Sequence, residues 1–165
     1  MVIGIIVRSI VGFILLCYVL NRISYGYLKA RIIRKRRWGL NICCGKTDGG
    51  GVNADIVKHE DLPNFRKISQ IYDLPFEDRT FRWVLCSHTV EHLDDPEKFD
   101  RELRRVGRNV LYILPPLWDL SAAFNLLEHK WIFLTLKKGH LRLPRYVKLP
   151  FARTLQRLLG QKIAA

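Results

Sequence analysis

The chain has 165 residues and a formal net charge of +13, from 28 Lys and Arg against 15 Asp and Glu. That length holds one domain plus an appendage and excludes a larger assembly of domains. A hydrophobic content of 48% is high for so basic a chain, so apolar residues and charges must be segregated along it.

The segregation begins at once. Residues 2–20, VIGIIVRSIVGFILLCYVL, carry Arg8 as their only charge and match the length that a bilayer core requires of a helix. Arg8 lies near the start of the run, where a long side chain can reach the head groups. A cleaved secretory signal fits less well: no basic region precedes the run and no small-x-small cleavage site follows it. A buried core helix also fits less well, because Ile, Leu, Val and Phe occupy every face. The expectation is one transmembrane anchor over residues 1–21, then a basic juxtamembrane helix or linker over 22–37. Arg22, Lys29, Arg31, Arg34, Lys35, Arg36 and Arg37 stand there without an acid. Loops of this kind stay on the cytoplasmic side, which puts the rest of the chain there. The four cysteines, Cys17, Cys43, Cys44 and Cys86, include no CxxC pair, so neither disulfides nor structural zinc is expected.

All 15 acids fall between Asp48 and Glu128, and residues 38–128 set 11 basic residues against them. The other 17 basic residues lie in the flanks. Basic flanks around an acidic domain, beside an apolar anchor, suit anionic lipid head groups better than nucleic acid.

After the linker come short punctuated elements. Residues 40–44, LNICC, read as a strand ending at Gly45 and the loop KTDGGG. GVNADI is a second strand, ending on Asp55. KISQIYDLPF alternates and then turns at Pro75. Residues 81–87, FRWVLCS, read as a buried strand. DPEKFDRELRRV has helical periodicity, with Phe99, Leu103 and Val106 on one side, Asp94 or Asp95 as cap and Pro96 in the first turn. NVLYILPP is a further strand stopped by two prolines. This alternation predicts an α/β fold with a Rossmann-like, mostly parallel sheet. Ligands of such sheets sit beyond the carboxyl ends of the strands, which singles out Gly45, Asp55, Asp73, Ser87 and His88.

Within SHTVEHL, the residues His88, Glu91 and His92 spell H-x-x-E-H, a zinc-protease pattern. Such a site needs both histidines on one continuous helix and a further acidic ligand. Here a strand runs into Ser87 and the next helix opens at Pro96, so the string reads as a connection, and no metal is expected.

LNICCG, VNADI, YDLPFEDRTFRWVLCSHTVEHLDDPEKFDRELRRV and NVLYILPP, in that order, resemble the class I methyltransferases that use S-adenosylmethionine, most nearly their small "type 11" members. The resemblance covers roughly residues 40–116. It implies a reduced form of that fold over residues 38–118. It further implies S-adenosylmethionine as cofactor, with Asn41, Cys43 and Gly45 at the methionine end, Asp55 on the ribose hydroxyls, Asp73 and Leu74 at the adenine, and Ser87 near the transferable methyl. His88 becomes the candidate base, with Glu91 and His92 secondary. Plainer readings stand beside these: Asp55 as a turn residue, Asp73 in an Asx-turn, and His88 as a strand-end histidine bonded to backbone.

The chain departs from the family at three points. Cys43 stands where a glycine is usual, and the ten residues from Gly45 to Asp55 leave no room for a crossover helix. The usual KPGG turn before the fifth strand is absent. The last strands and any lid are not evident. Residues 119–165 are instead basic and aromatic. KWIFLTL and HLRLPRYVKL could pair as a hairpin or line a substrate entrance. PFARTLQRLLGQKI puts Phe151, Leu155, Leu158 and Leu159 opposite Arg153, Arg157 and Lys162. That pattern suits a helix on a membrane surface or one covering the sheet. Two functions follow: a membrane-anchored methyltransferase acting on a small or membrane-proximal acceptor, or a non-catalytic protein of that fold that binds or scaffolds a partner.

Overall fold

The computed structural model describes residues 2–159, so Lys162 lies outside the described residues. The apolar run forms α1 (Val2–Asn21), with no residue buried. It continues through a π-helical stretch (Arg22–Leu28) into α2 (Lys29–Ile33), giving one helix of 32 residues that is long and apolar enough to cross a membrane. Trp38 donates from Nε1 to the Ile33 carbonyl at 2.9 Å, which satisfies one of the acceptors that a helix end leaves open.

A six-stranded sheet follows in the order β3-β2-β1-β4-β5-β7. Its strands are β1 (Leu40–Ile42), β2 (Val52–Asp55), β3 (Phe65–Lys67), β4 (Val84–Ser87), β5 (Val110–Ile113) and β7 (Gly139–His140). All neighbours pair in parallel except β7, which runs antiparallel to β5. The expected α/β sheet is therefore present, with β7 as an edge strand that the sequence did not reveal.

On one face, Leu40, Ile42, Val84, Cys86, Val110 and Tyr112 pack with Phe99, Leu103 and Val106 of α3 (Pro96–Val106). This helix is capped as its sequence predicts: the Asp95 carboxylate accepts from the Lys98 N–H at 2.9 Å, and Pro96 fills the first turn. On the other face, Trp38, Leu85 and Ile113 are covered by Ile32 and Ile33 of α2. The basic segment between the apolar helix and the sheet thus supplies part of the second layer that a parallel sheet needs over both faces.

Two connections replace regular elements with side-chain bonds. Residues 43–51 join the parallel neighbours β1 and β2 without a helix. The Asn41 amide donates to the Thr47 carbonyl at 2.7 Å, and the Asn53 carboxamide oxygen accepts from the Gly49 N–H at 2.9 Å. A Cβ at Gly51 would lie 2.2 Å from the Trp38 carbonyl oxygen, so only glycine passes there. The alternating stretch after β3 is a loop, because Ile68, Ile71 and Leu74 are buried at a spacing of three rather than two. Its backbone bonds to α3: Glu102 accepts from the Leu74 N–H at 2.6 Å, and Arg105 donates to the carbonyls of Leu74 and Phe76 at 2.9 Å each.

The C-terminal part holds the expected hairpin, with β6 (Trp131–Phe133) antiparallel to β8 (Tyr146–Lys148). Between them the chain leaves to form β7. A short helix α4 (Leu120–Ala123) precedes the hairpin and α5 (Ala152–Leu159) follows it. Ala152 and Gln156 of α5 face inward, while Leu158 and Leu159 and the preceding Phe151 are exposed.

Candidate active site

The carboxyl edge of the sheet gathers several of the residues singled out above. At the end of β1 the chain turns through two left-handed residues, Cys43 at φ +49° and Gly45 at φ +53°. The space where a Gly45 side chain would stand is open. Asp55 ends β2; one carboxylate oxygen accepts from the Gly45 N–H at 2.9 Å and the other from the Ile56 N–H at 2.8 Å. The Ile56-bonded oxygen also accepts from the Val57 N–H at 3.4 Å, so the oxygen on Gly45 is the one that keeps a lone pair for a hydroxyl donor. Burial and the nearby Asp55 carboxylate push the Cys43 thiol up, and the same causes raise Cys44 to about 11, so neither is a thiolate nucleophile at neutral pH.

A cavity of about 260 Å³ opens at this edge, lined by Ile56, Ser69, Gln70, Ile71, Tyr72 and the turn 92–94, with Lys130. Lys130 and Asp94 pair across its lining at 3.0 Å. A larger hollow of about 440 Å³ lies around Trp38, Gly51 and Trp83, at the opposite ends of the strands, where ligands of such sheets do not bind. Asp73 and Leu74 do not line the cavity. Asp73 is exposed and bonds Gln70, while Leu74 is a core residue whose N–H and carbonyl are taken by Glu102 and Arg105. The residues facing the cavity are Ile56 and Gln70–Tyr72, a few positions earlier in the same segment. Asn41 likewise holds the 43–51 loop and Asn53.

Ser87 ends β4 with its buried hydroxyl unpartnered. His88 follows in a left-handed conformation at φ +54°. Its Nδ1 lies 3.1 Å from Glu91 Oε1, and its Nε2 lies 2.9 Å from Lys138 Nζ. Lys138 also donates to Ser24 Oγ at 2.9 Å, and the Tyr25 ring sits 4.9 Å from the imidazole, centroid to centroid. The site is thus closed on this side by the first helix and by the loop carrying β7. Neither contributor is marked by any motif. Burial, then Lys138 and Lys29, lower the His88 pKa despite Glu91. Burial also brings Lys138 down to about 8 against the pull of Asp119 and Glu91. With the Lys138 ammonium donating to Nε2, the imidazole is neutral and carries its proton on Nδ1. His92 lies in a 3-10 turn (Val90–His92), its Nδ1 2.9 Å from the Glu128 carbonyl.

The open space at Gly45, the Asp55 carboxylate and the adjacent cavity fit the nucleoside part of S-adenosylmethionine.

The sequence profile of a family described as "Methyltransferase domain" matches residues 53–110. No protein of curated function matches the chain in sequence. Similar solved structures include a SAM-dependent methyltransferase from Aquifex aeolicus, at 18% identity, 56% of this chain, 66% of that one and a TM-score of 0.42. A SAM-dependent methyltransferase from Thermotoga maritima, titled a possible histamine N-methyltransferase, aligns at 17% identity, 66% of this chain, 59% of that one and a TM-score of 0.42. A protein from Pyrococcus horikoshii aligns at 17% identity over 86% and 81% of the two chains, with a TM-score of 0.45. The chain spans less than two thirds of the length of the Aquifex and Thermotoga proteins. From its second strand to the start of its fifth, the chain matches the methyltransferase domain family, and its mostly parallel α/β sheet resembles the methyltransferase fold.

Proposed function

We propose that this is a membrane-anchored S-adenosylmethionine-dependent methyltransferase acting on a small or membrane-proximal acceptor. The observation that carries the reading is the junction at His88: the helix that continues the apolar run places Ser24 and Tyr25 against the residues at the end of β4. Whatever enters there passes beside the anchor. Asp55 would take the ribose hydroxyls, the turn at Gly45 would let the backbone approach closely, and Ile56 with residues 70–72 would hold the base. The cofactor supplies an electrophilic methyl group when bound. The protein's share is orientation, exclusion of water and, for an acceptor that loses a proton, a base. His88 serves as that base once Lys138 releases its Nε2. The seven basic residues after the anchor and the basic C-terminal part favour anionic lipid head groups as the surface on which the domain rests.

A second reading, a non-catalytic binding or scaffold protein of the same fold, is favoured by one feature: in this structure Nε2 of His88 is already bonded. Calorimetric titration of the detergent-solubilised chain with S-adenosylmethionine and S-adenosylhomocysteine tests the first reading. Binding of both, lost in Asp55→Ala with the fold intact, is the expected result. Absence of heat for either ligand overturns it. Binding without methyl loss in the presence of membrane extracts turns the assignment to the second reading. Flotation with anionic vesicles, against retention by duplex DNA at rising salt, tests the lipid assignment; salt-sensitive DNA binding alone reverses it.

A further inference from the structure

The H-x-x-E-H string is not exhausted by His88. Glu91 is fully buried and turns its two oxygens to different partners. Oε1 accepts from His88 Nδ1, while Oε2 is buried with no hydrogen-bond partner. Facing it are His92, from the same turn, and His129, from the segment between α4 and β6. The ligand-capable atoms of Glu91, His92 and His129 all lie within 4.8 Å of one another. The two imidazole rings stand edge to face, 4.8 Å between centroids. His129 Nδ1 is also buried without a partner. All three residues are more than nine-tenths buried.

This arrangement lacks a donor. A carboxylate offers only acceptors, and Glu91 Oε2 meets no donor. The His129 ring is bonded to the Ala122 backbone, and with its proton placed there Nδ1 is left as a lone pair with no partner. His92 donates from Nδ1–H to the Glu128 carbonyl at 2.9 Å, which leaves Nε2 as a lone pair. A carboxylate oxygen and two imidazole nitrogens therefore face one another as acceptors. Each buried acceptor left bare costs about 1–3 kcal/mol. A cation satisfies all three together. A backbone carbonyl behind a histidine is also the usual device for orienting a metal-binding ring.

We propose that Glu91, His92 and His129 form a binding site for one divalent transition-metal ion of the zinc class. The N,N,O donor set suits zinc, cobalt or iron(II) and not calcium or magnesium, which take oxygen ligands. In a tetrahedral zinc site with bonds of about 2.1 Å the ligand atoms stand about 3.4 Å apart, so the three close by at most about 1.4 Å on binding. Glu91 acts as a ligand rather than as a hydrolytic base, so the site is not that of a peptidase. Its other oxygen holds His88, and through it the metal fixes the orientation of the candidate base. The proposal does not depend on cofactor binding.

The test uses the full, untagged chain in detergent, stripped with chelator and titrated with Co²⁺ and then Zn²⁺. One equivalent of Co²⁺ per chain is expected, with the visible d–d absorption of a low-coordinate site, displaced by Zn²⁺. His129→Asn and Glu91→Gln should weaken binding by about 100-fold or more, since even a partner behind a ligand is worth about 10- to 100-fold. His59→Asn, an exposed histidine outside the cluster, should leave binding unchanged. Uptake well below one equivalent in the wild-type chain overturns the proposal, whether or not the variants fold. Equal uptake by a folded His129→Asn chain does so as well.

Discussion

Lys138, 50 residues further along the chain, places its ammonium 2.9 Å from the His88 imidazole Nε2. Burial lowers the proton affinity of His88 most, and the Lys138 charge adds to it. Lys138→Met removes that charge, so the His88 pKa rises. Imidazole nitrogen shifts followed through a pH titration read the change directly. Superimposable curves for wild type and variant would show that the two groups do not meet.

The same lysine makes stability depend on pH. Burial holds its folded-state pKa at about 8, below the ordinary 10.5. Between these values the unfolded chain holds more protons than the folded one, so stability rises with pH across that window. Below pH 8 both states are charged and the penalty is constant. The rise is on the order of 3 kcal/mol. Denaturation at pH 8 and pH 10.5 measures it, and the Lys138→Met chain should lack it.

Ile56 lines the cavity and Asp73 does not. Ile56→Lys places a charge on an apolar wall and should abolish binding of S-adenosylhomocysteine, whereas Asp73→Ala, on an exposed residue, should change it by no more than about twofold. Isothermal titration of both variants decides the matter; a loss confined to Asp73→Ala would move the base to the other end of the segment.

Gly51→Ala should be the most damaging change in the 43–51 loop. The added Cβ meets two backbone oxygens, at 2.2 Å from Trp38 and 2.7 Å from Gly39, and backbone cannot step aside cheaply. A loss of at least about 2 kcal/mol is expected. Gly45→Ala meets open space and bears only the cost of its left-handed backbone, about 1 kcal/mol. Thermal melts should rank the two in that order.

Much of this architecture is written locally. β1, β2, β4 and β5 are apolar runs bounded by glycine, proline or polar turns, and α3 announces itself by Asp95, Pro96 and its buried stripe. Strand ends then point to Gly45, Asp55, Ser87 and His88 without further information. Other parts depend on distant chain. The stretch after β3 alternates and then turns in sequence, yet it is a loop whose backbone is satisfied by Glu102 and Arg105, which no local pattern announces. Asp73 stands out as an acid, but the residues lining the cavity are the less distinctive Ile56 and Gln70–Tyr72. His129, Lys138, Ser24 and Tyr25 reach the site only through tertiary folding. Spacing in the chain carries no trace of that meeting.

The loop that carries Lys138 leaves the β6–β8 hairpin, adds β7 to the edge of the sheet and returns. Its ends are clamped in one sheet and its middle in another, while its lysine touches the first helix. Lys138 can reach His88 only after the N-terminal helix, the central sheet and the hairpin have all found one another. The proton affinity of a single imidazole thus reports on assembly: a chain with only the five parallel strands in place titrates as unfinished until the loop that brings β7 and Lys138 arrives.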